Sequence, residues 1–179
     1  MSTEADWVGE VHEFWFGAPE SWFKPDPDFD AQIRGRFTDL YETLRQQGPS
    51  VLNARSSVAA VLVLDQFPRH MFRGAAREFA TDSEALSIAR SAIGDGADQR
   101  VLVHERMFLY MPFMHSEDPA AQQRSVALFT ALDVPELARV AREHKLVIDK
   151  FGRFPHRNKV LGRPSTPDEI AFLKTGVAA

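Results

Sequence analysis

No cysteine occurs among the 179 residues, which excludes disulfides, thiolate nucleophiles, iron–sulfur clusters and cysteine zinc sites. Chemistry is left to His, Asp, Glu and the hydroxyls. Lysine is scarce as well: only 5 of the 21 basic residues are Lys and 16 are Arg. Long apolar runs are missing, since the longest, VAAVLVL at 58–64, falls far short of the roughly 20 residues that span a bilayer. The N-terminal MSTEADWVGEV is acidic and lacks the basic start and apolar stretch of a secretory leader. A cytoplasmic protein that does not engage a membrane is expected. A net charge of −4 argues against nucleic acid as a partner, because neutralising a phosphate backbone needs a basic surface.

What is present is enough for one core. Apolar residues make up 44% of the chain and 14 Phe, 3 Trp and 2 Tyr supply bulk, so a single domain over 1–179 is expected. No linker or low-complexity tract interrupts it. The charge is uneven: LDQFPRHMFRGAAR (64–77) carries +2 and FGRFPHRNKVLGR (151–163) carries +4, which leaves −10 on the remainder. Two cationic segments on an acidic body suit a local anion site better than a polyanion surface.

The apolar spacing is helical nearly everywhere. Val8, Val11, Phe14 and Trp15 share a face before Gly17, and Ile33, Phe37, Leu40, Tyr41 and Leu44 predict an amphipathic helix over 28–47 that stops at Gly48-Pro49. Residues 51–66 are apolar on most sides, as in a central helix. Thr81 or Asp82 is placed to cap a helix ending at Gly94, and a further helix fits 99–111, with Pro112 bending or ending it. Helices over 120–132 and 134–152 follow, the latter with Leu137, Val140, Ala141, His144, Val147, Ile148 and Phe151 in one stripe. Ser165-Thr166-Pro167-Asp168-Glu169 opens a last one. The expectation is all-α, with antiparallel helix pairs joined by short loops.

Four clusters carry candidate chemistry. Asp65, Arg69 and Arg73 lie at i, i+4 and i+8, although Pro68 breaks the bond to residue 64; they form either an internal Asp–Arg lock or part of a site. Arg106 and Tyr110 share a helix face that leads to His115 and Glu117, an acid–base pair or, with Ser116 as a cap, a simple helix start. His144 interrupts an apolar stripe, where a hydrogen-bonded core histidine is the plainer alternative. Arg153, His156, Arg157 and Asn158 crowd donors around Gly152 and Pro155, suited to a carboxylate or phosphate, or to capping helix carbonyls.

The motifs FWFG (14–17), WF (22–23), FD (29–30), VLDQFPRHMFRG (63–74), FATDSEAL (79–86), RMFLYMPFMHSED (106–118), His144 and FGRFPHRNKVLGRPST (151–166) together resemble the bacterial family called domain of unknown function 924. The resemblance covers nearly the whole chain. It implies a compact helical domain similar to the tetratricopeptide-like superfamily and no particular activity. His70 stands where that family usually has Asn, and Ala75 where Thr is usual.

The residues favour a small-molecule enzyme or binder. Arg69, Arg73, Arg106, Tyr110, Arg153, Arg157 and Asn158 would hold an anionic ligand, with Trp22 and also Trp15, Phe72, Phe113 and Phe154 as walls. Asp65, His115, Glu117, His144 or His156 would move protons. The alternative is a helical adaptor gripping a peptide carboxylate in a groove. A metal site on His115, Glu117, His144, His156 and Asp65 is a weaker option because no HExxH or similar pair occurs, and no cofactor is expected.

Overall fold

A computed structural model describes residues 4–49 and 53–175 and shows an all-helical bundle, with no strand among those residues. Helix α1 (Glu4–Phe16) is followed by a short 3-10 turn, Pro19–Ser21. Helix α2 (Pro27–Gln47) starts because Asp26 caps it, accepting the Phe29 N–H at 3.0 Å, and Pro27 fills the first turn. Its stripe of Ile33, Phe37, Tyr41 and Leu44 is buried, as the spacing predicts. The helix predicted from 51 begins outside the described residues; α3 (Ala54–Val61) opens on a reciprocal cap between Asn53 and Ser56.

Beyond α3 the chain does not stop at Asp65. It passes through a π-helical segment (Leu62–Gln66) into α4 (Phe67–Met71), carrying Pro68 with it. After a 3-10 turn (Ala76–Phe79) come α5 (Asp82–Gly94), a second 3-10 turn (Ala97–Arg100) and α6 (Val103–His115). The expected helix over 99–111 is thus shifted. Pro112 lies inside α6 and does not end it, since residues 107–114 are all buried and packing outweighs the one lost backbone bond. Residues 56–68 are likewise buried without a break. These two apolar rods form the centre of the bundle and the other helices cover them.

Helices α6, α7 (Pro119–Ala131) and α8 (Pro135–Phe151) pack successively, and links of three residues make the neighbours antiparallel. Asp118, not Ser116, caps α7, accepting the Ala120 N–H at 3.0 Å. Between α7 and α8 the chain turns on Asp133, whose φ of 59° places it in the left-handed region that Asp tolerates better than most residues. Gly152, with φ 69°, ends α8 in the same region and sends the chain back through a 3-10 turn (Pro155–Arg157) to α9 (Pro167–Leu173). No helix among the described residues is long and apolar enough to cross a membrane.

Candidate functional site

The π segment and Pro68 shape the site. Phe67 N–H reaches back five residues to Leu62 O, and Pro68 has no N–H to give, so carbonyls in this turn need other donors. The Thr81 hydroxyl donates to Leu64 O at 2.5 Å, and Arg69 Nη1 donates to Asp65 O. Thr81 therefore does not cap α5 with its side chain, and Asp82 is also engaged: its carboxylate receives both terminal nitrogens of Arg69, at 2.9 and 3.1 Å. Such a fork-to-carboxylate pair fixes α4 to the start of α5.

Asp65 is wholly buried and surrounded by donors. His115 Nδ1 lies 2.8 Å from Oδ1, Gln66 Nε2 donates to Oδ2 at 2.6 Å, and Arg69 Nη1 stands 3.5 Å from Oδ1. Burial pushes the Asp65 carboxyl up, but the Arg69 charge and His115 together outweigh it and hold the group at about 2. An ionised Asp65 accepts a hydrogen bond from His115 Nδ1–H, which leaves the lone pair on Nε2. Burial, then the Arg69 charge, lower His115 below the ordinary histidine value despite Asp65, so the ring stays neutral at pH 7.

His115 faces a cavity of about 360 Å³. The loop between the first 3-10 turn and α2 supplies Trp22, Phe23, Lys24 and Pro25 to its wall. The π segment and α4 add Gln66, Arg69 and His70, with Arg73 just beyond; α6 adds Met111 and Met114, and α8 adds Leu137, Val140 and His144. No carboxylate lies among these lining residues. His144 Nδ1–H donates to Val140 O at 3.0 Å, and burial, followed by His115 and Arg157, lowers its value to about 4. His70 Nδ1 sits 2.7 Å from Asp30, which also receives Arg73 Nη2 at 3.2 Å.

The sequence pattern of the family "Bacterial protein of unknown function (DUF924)" matches residues 11–177. The chain belongs to this family. A solved DUF924-like structure, "Structure of Protein of Unknown Function ATU0120 from Agrobacterium tumefaciens", superposes with a TM-score of 0.92 at 41% identity, covering 96% of this chain and 98% of that one. No curated protein matches the DUF924 chain.

Of the sequence-predicted residues, this DUF924 fold brings Trp22, Arg69, Arg73, His115 and His144 to the cavity wall, with Asp65 directly behind His115. Arg157 is also behind the wall, donating to Asp82 at 3.1 Å and to His115 O at 3.0 Å. The others lie elsewhere. Glu117 accepts both terminal nitrogens of Arg163 and the Phe154 N–H; Arg153 and Asn158 are held by Glu169. Burial and the Asp98 hydrogen bond push the Tyr110 hydroxyl up, and Arg106 is bound to the Asp98 carbonyl. His156 is exposed beside Arg157 and is not part of the wall. Trp15, Phe113 and Phe154 are core, and Phe72 lies under the Arg77 guanidinium, so of the five expected aromatics only Trp22 reaches the wall, beside Phe23 and the aliphatic Met, Leu, Val and Pro residues. With Glu117 and His156 displaced, the five-residue metal set does not assemble; among the described residues no three such groups converge.

Sequence reasoning passed over Gln66, the 23–25 loop and the pair Met111 and Met114. Spacing had a usable signal for the first, since Gln66 sits between Asp65 and Pro68 where the helix must deform. The histidines also set a pH response. His144 falls from 6.5 unfolded to about 4 folded, so below pH 6.5 the unfolded chain binds more protons and stability declines toward pH 4. Each such histidine contributes a slope of at most about 1.4 kcal/mol per pH unit. Urea midpoints measured from pH 7 to 4 should show this fall, and His144→Phe should make it shallower by one histidine's share, since His115 and His156 are lowered as well; a flat wild-type profile would contradict the assignment.

Proposed function

We propose that this protein is a small-molecule enzyme or binder whose ligand carries a carboxylate or phosphate and occupies the cavity between the 22–25 loop, the π segment, α4, α6 and α8. The observation that carries this reading is a lining with Lys24, Arg69 and Arg73 and no carboxylate, into which a carboxylate-backed histidine projects. Arg69 is committed to Asp82, so the anion falls to Arg73 and Lys24. Arg73 is half-exposed and bonds Asp30 only through Nη2, which leaves its other N–H groups for a ligand. Asp65 fixing the tautomer of His115 is the arrangement a general base needs, and the lining offers no hydroxyl or thiol nucleophile to compete with it.

The volume lies at the small-molecule end of ligand pockets, which favours this reading over a peptide groove. A thermal-shift panel of phosphates, sulfate and mono- and dicarboxylates tests it. A ligand present at about a hundred times its Kd should raise the midpoint by on the order of 5 °C. Arg73→Gln should remove most of that rise while leaving the unliganded midpoint within about 2 °C, as expected for a half-exposed side chain. If no anion in the panel moves the wild-type midpoint, the proposal fails.

A further inference from the structure

The histidine tautomers at the cavity are fixed by their partners. Val140 O can only accept, so His144 Nδ1, 3.0 Å away, carries the proton and Nε2 the lone pair. Asp65 has Gln66 and Arg69 as further donors around its carboxylate, so His115 Nδ1 is protonated in the same way. Among the described residues nothing hydrogen-bonds either Nε2. Gln66 uses its amide N–H toward Asp65 and Met111 Sδ, so its Oε1 is a third acceptor. One part of the lining therefore offers acceptors only, on the π segment, α6 and α8. The cationic donors, Lys24 and Arg73, come from the 22–25 loop and the turn after α4.

We infer that the ligand is a hydroxy acid: its carboxylate meets Arg73 and Lys24, its hydroxyl donates its one proton to His115 Nε2, and its apolar part lies along Met111, Met114, Leu137 and Val140. This rests on the anion reading above and narrows it. A neutral donor is required, because an ammonium in the same place would face Arg69, Arg73 and Lys24 with no carboxylate on the wall to offset them. A hydroxyl satisfies His115 Nε2 without adding charge. An analogue that lacks it leaves that nitrogen desolvated and unpaired, which is how such sites discriminate.

Calorimetry with matched acids on two skeletons tests the inference: 3-phenyllactate, 3-phenylpropionate and phenylalanine, and 2-hydroxy-4-methylpentanoate, 4-methylpentanoate and leucine. On the better skeleton the hydroxy acid should bind at least about tenfold tighter than the unsubstituted acid, and the amino acid more weakly than both. His115→Phe should erase the hydroxyl preference while the unsubstituted acid keeps its Kd within about threefold. Asp65→Asn, which releases the His115 tautomer, serves the same purpose if the first variant does not fold. Equal Kd values for hydroxy and unsubstituted acids would overturn the hydroxyl assignment and leave the anion reading standing. Tighter binding of the amino acid would overturn it by showing that the acceptors want a charged donor. Binding of none of the six overturns it as well, and the phosphate and sulfate arms of the thermal-shift panel then decide the anion reading separately.

Discussion

Asp65→Ala should lower the unfolding free energy by about 3–5 kcal/mol, read as a fall in the urea midpoint at pH 7. The carboxylate is completely buried and is the common acceptor for His115, Gln66 and Arg69. Without it Arg69 keeps Asp82, but His115 Nδ1–H and the Gln66 amide lose their acceptor inside the protein, and a void opens beside the π segment. Asp65→Asn separates charge from shape. It fills the same volume and should cost less, about 1–3 kcal/mol, yet its amide cannot accept from both His115 and Gln66 as the carboxylate does. In that variant the His115 proton is free to move to Nε2, so the hydroxyl preference should vanish although the protein folds. A loss below about 1 kcal/mol for the alanine variant would mean that Asp65 does not organise the site.

Arg157→Ala should be nearly as damaging, at about 3 kcal/mol, for a different reason. Its guanidinium is buried, sits 4.4 Å from the Phe79 ring centroid and 4.7 Å from that of Phe154, and joins Asp82 to the His115 carbonyl. Truncation empties the space between two rings and removes the donor from a carbonyl at the end of α6. Arg157→Met is the informative control: it keeps most of the volume and drops the charge. If packing dominates, methionine should recover at least half of the loss; if the bonds to Asp82 and His115 dominate, it should recover little. Burial already pushes the Arg157 value down, and its Nε has no partner among the described residues, so part of the side chain's own cost is removed with it. Chemical denaturation of both variants distinguishes the outcomes.

The helical class and most helix cores were legible because the bundle is made of stripes. Ile33, Phe37, Tyr41 and Leu44 recur at helical spacing and all four are buried. Pro68 and Pro112 were harder: a proline in isolation ends a helix, but here continuous burial on both sides carries the backbone through, and the freed Leu64 carbonyl finds Thr81 from 17 positions away. In the site, Asp65 with Arg69 was visible as an i, i+4 pair, whereas Arg73 leaves that stripe because α4 ends at Met71 and Asp30 attracts it from α2. The donors at 151–158 were visible and their use was not. Spacing shows a cluster of guanidinium groups, but the acids that occupy them are distant: Asp82 is 75 residues from Arg157, and Glu169 is 16 from Arg153. Glu117 lies away from the cavity for the same reason, since Arg163, 46 residues on, donates to both of its carboxylate oxygens.

The order of these parts along the chain has a practical meaning. Every residue on the cavity wall precedes Lys145, while the guanidinium groups of Arg157, which holds the end of α6, and of Arg163, which holds the link to α7, come later. The wall and this C-terminal brace are thus written in separate stretches of the gene. Recombining the first stretch of one family member with the second of another would exchange the brace and leave the wall's own side chains as they were.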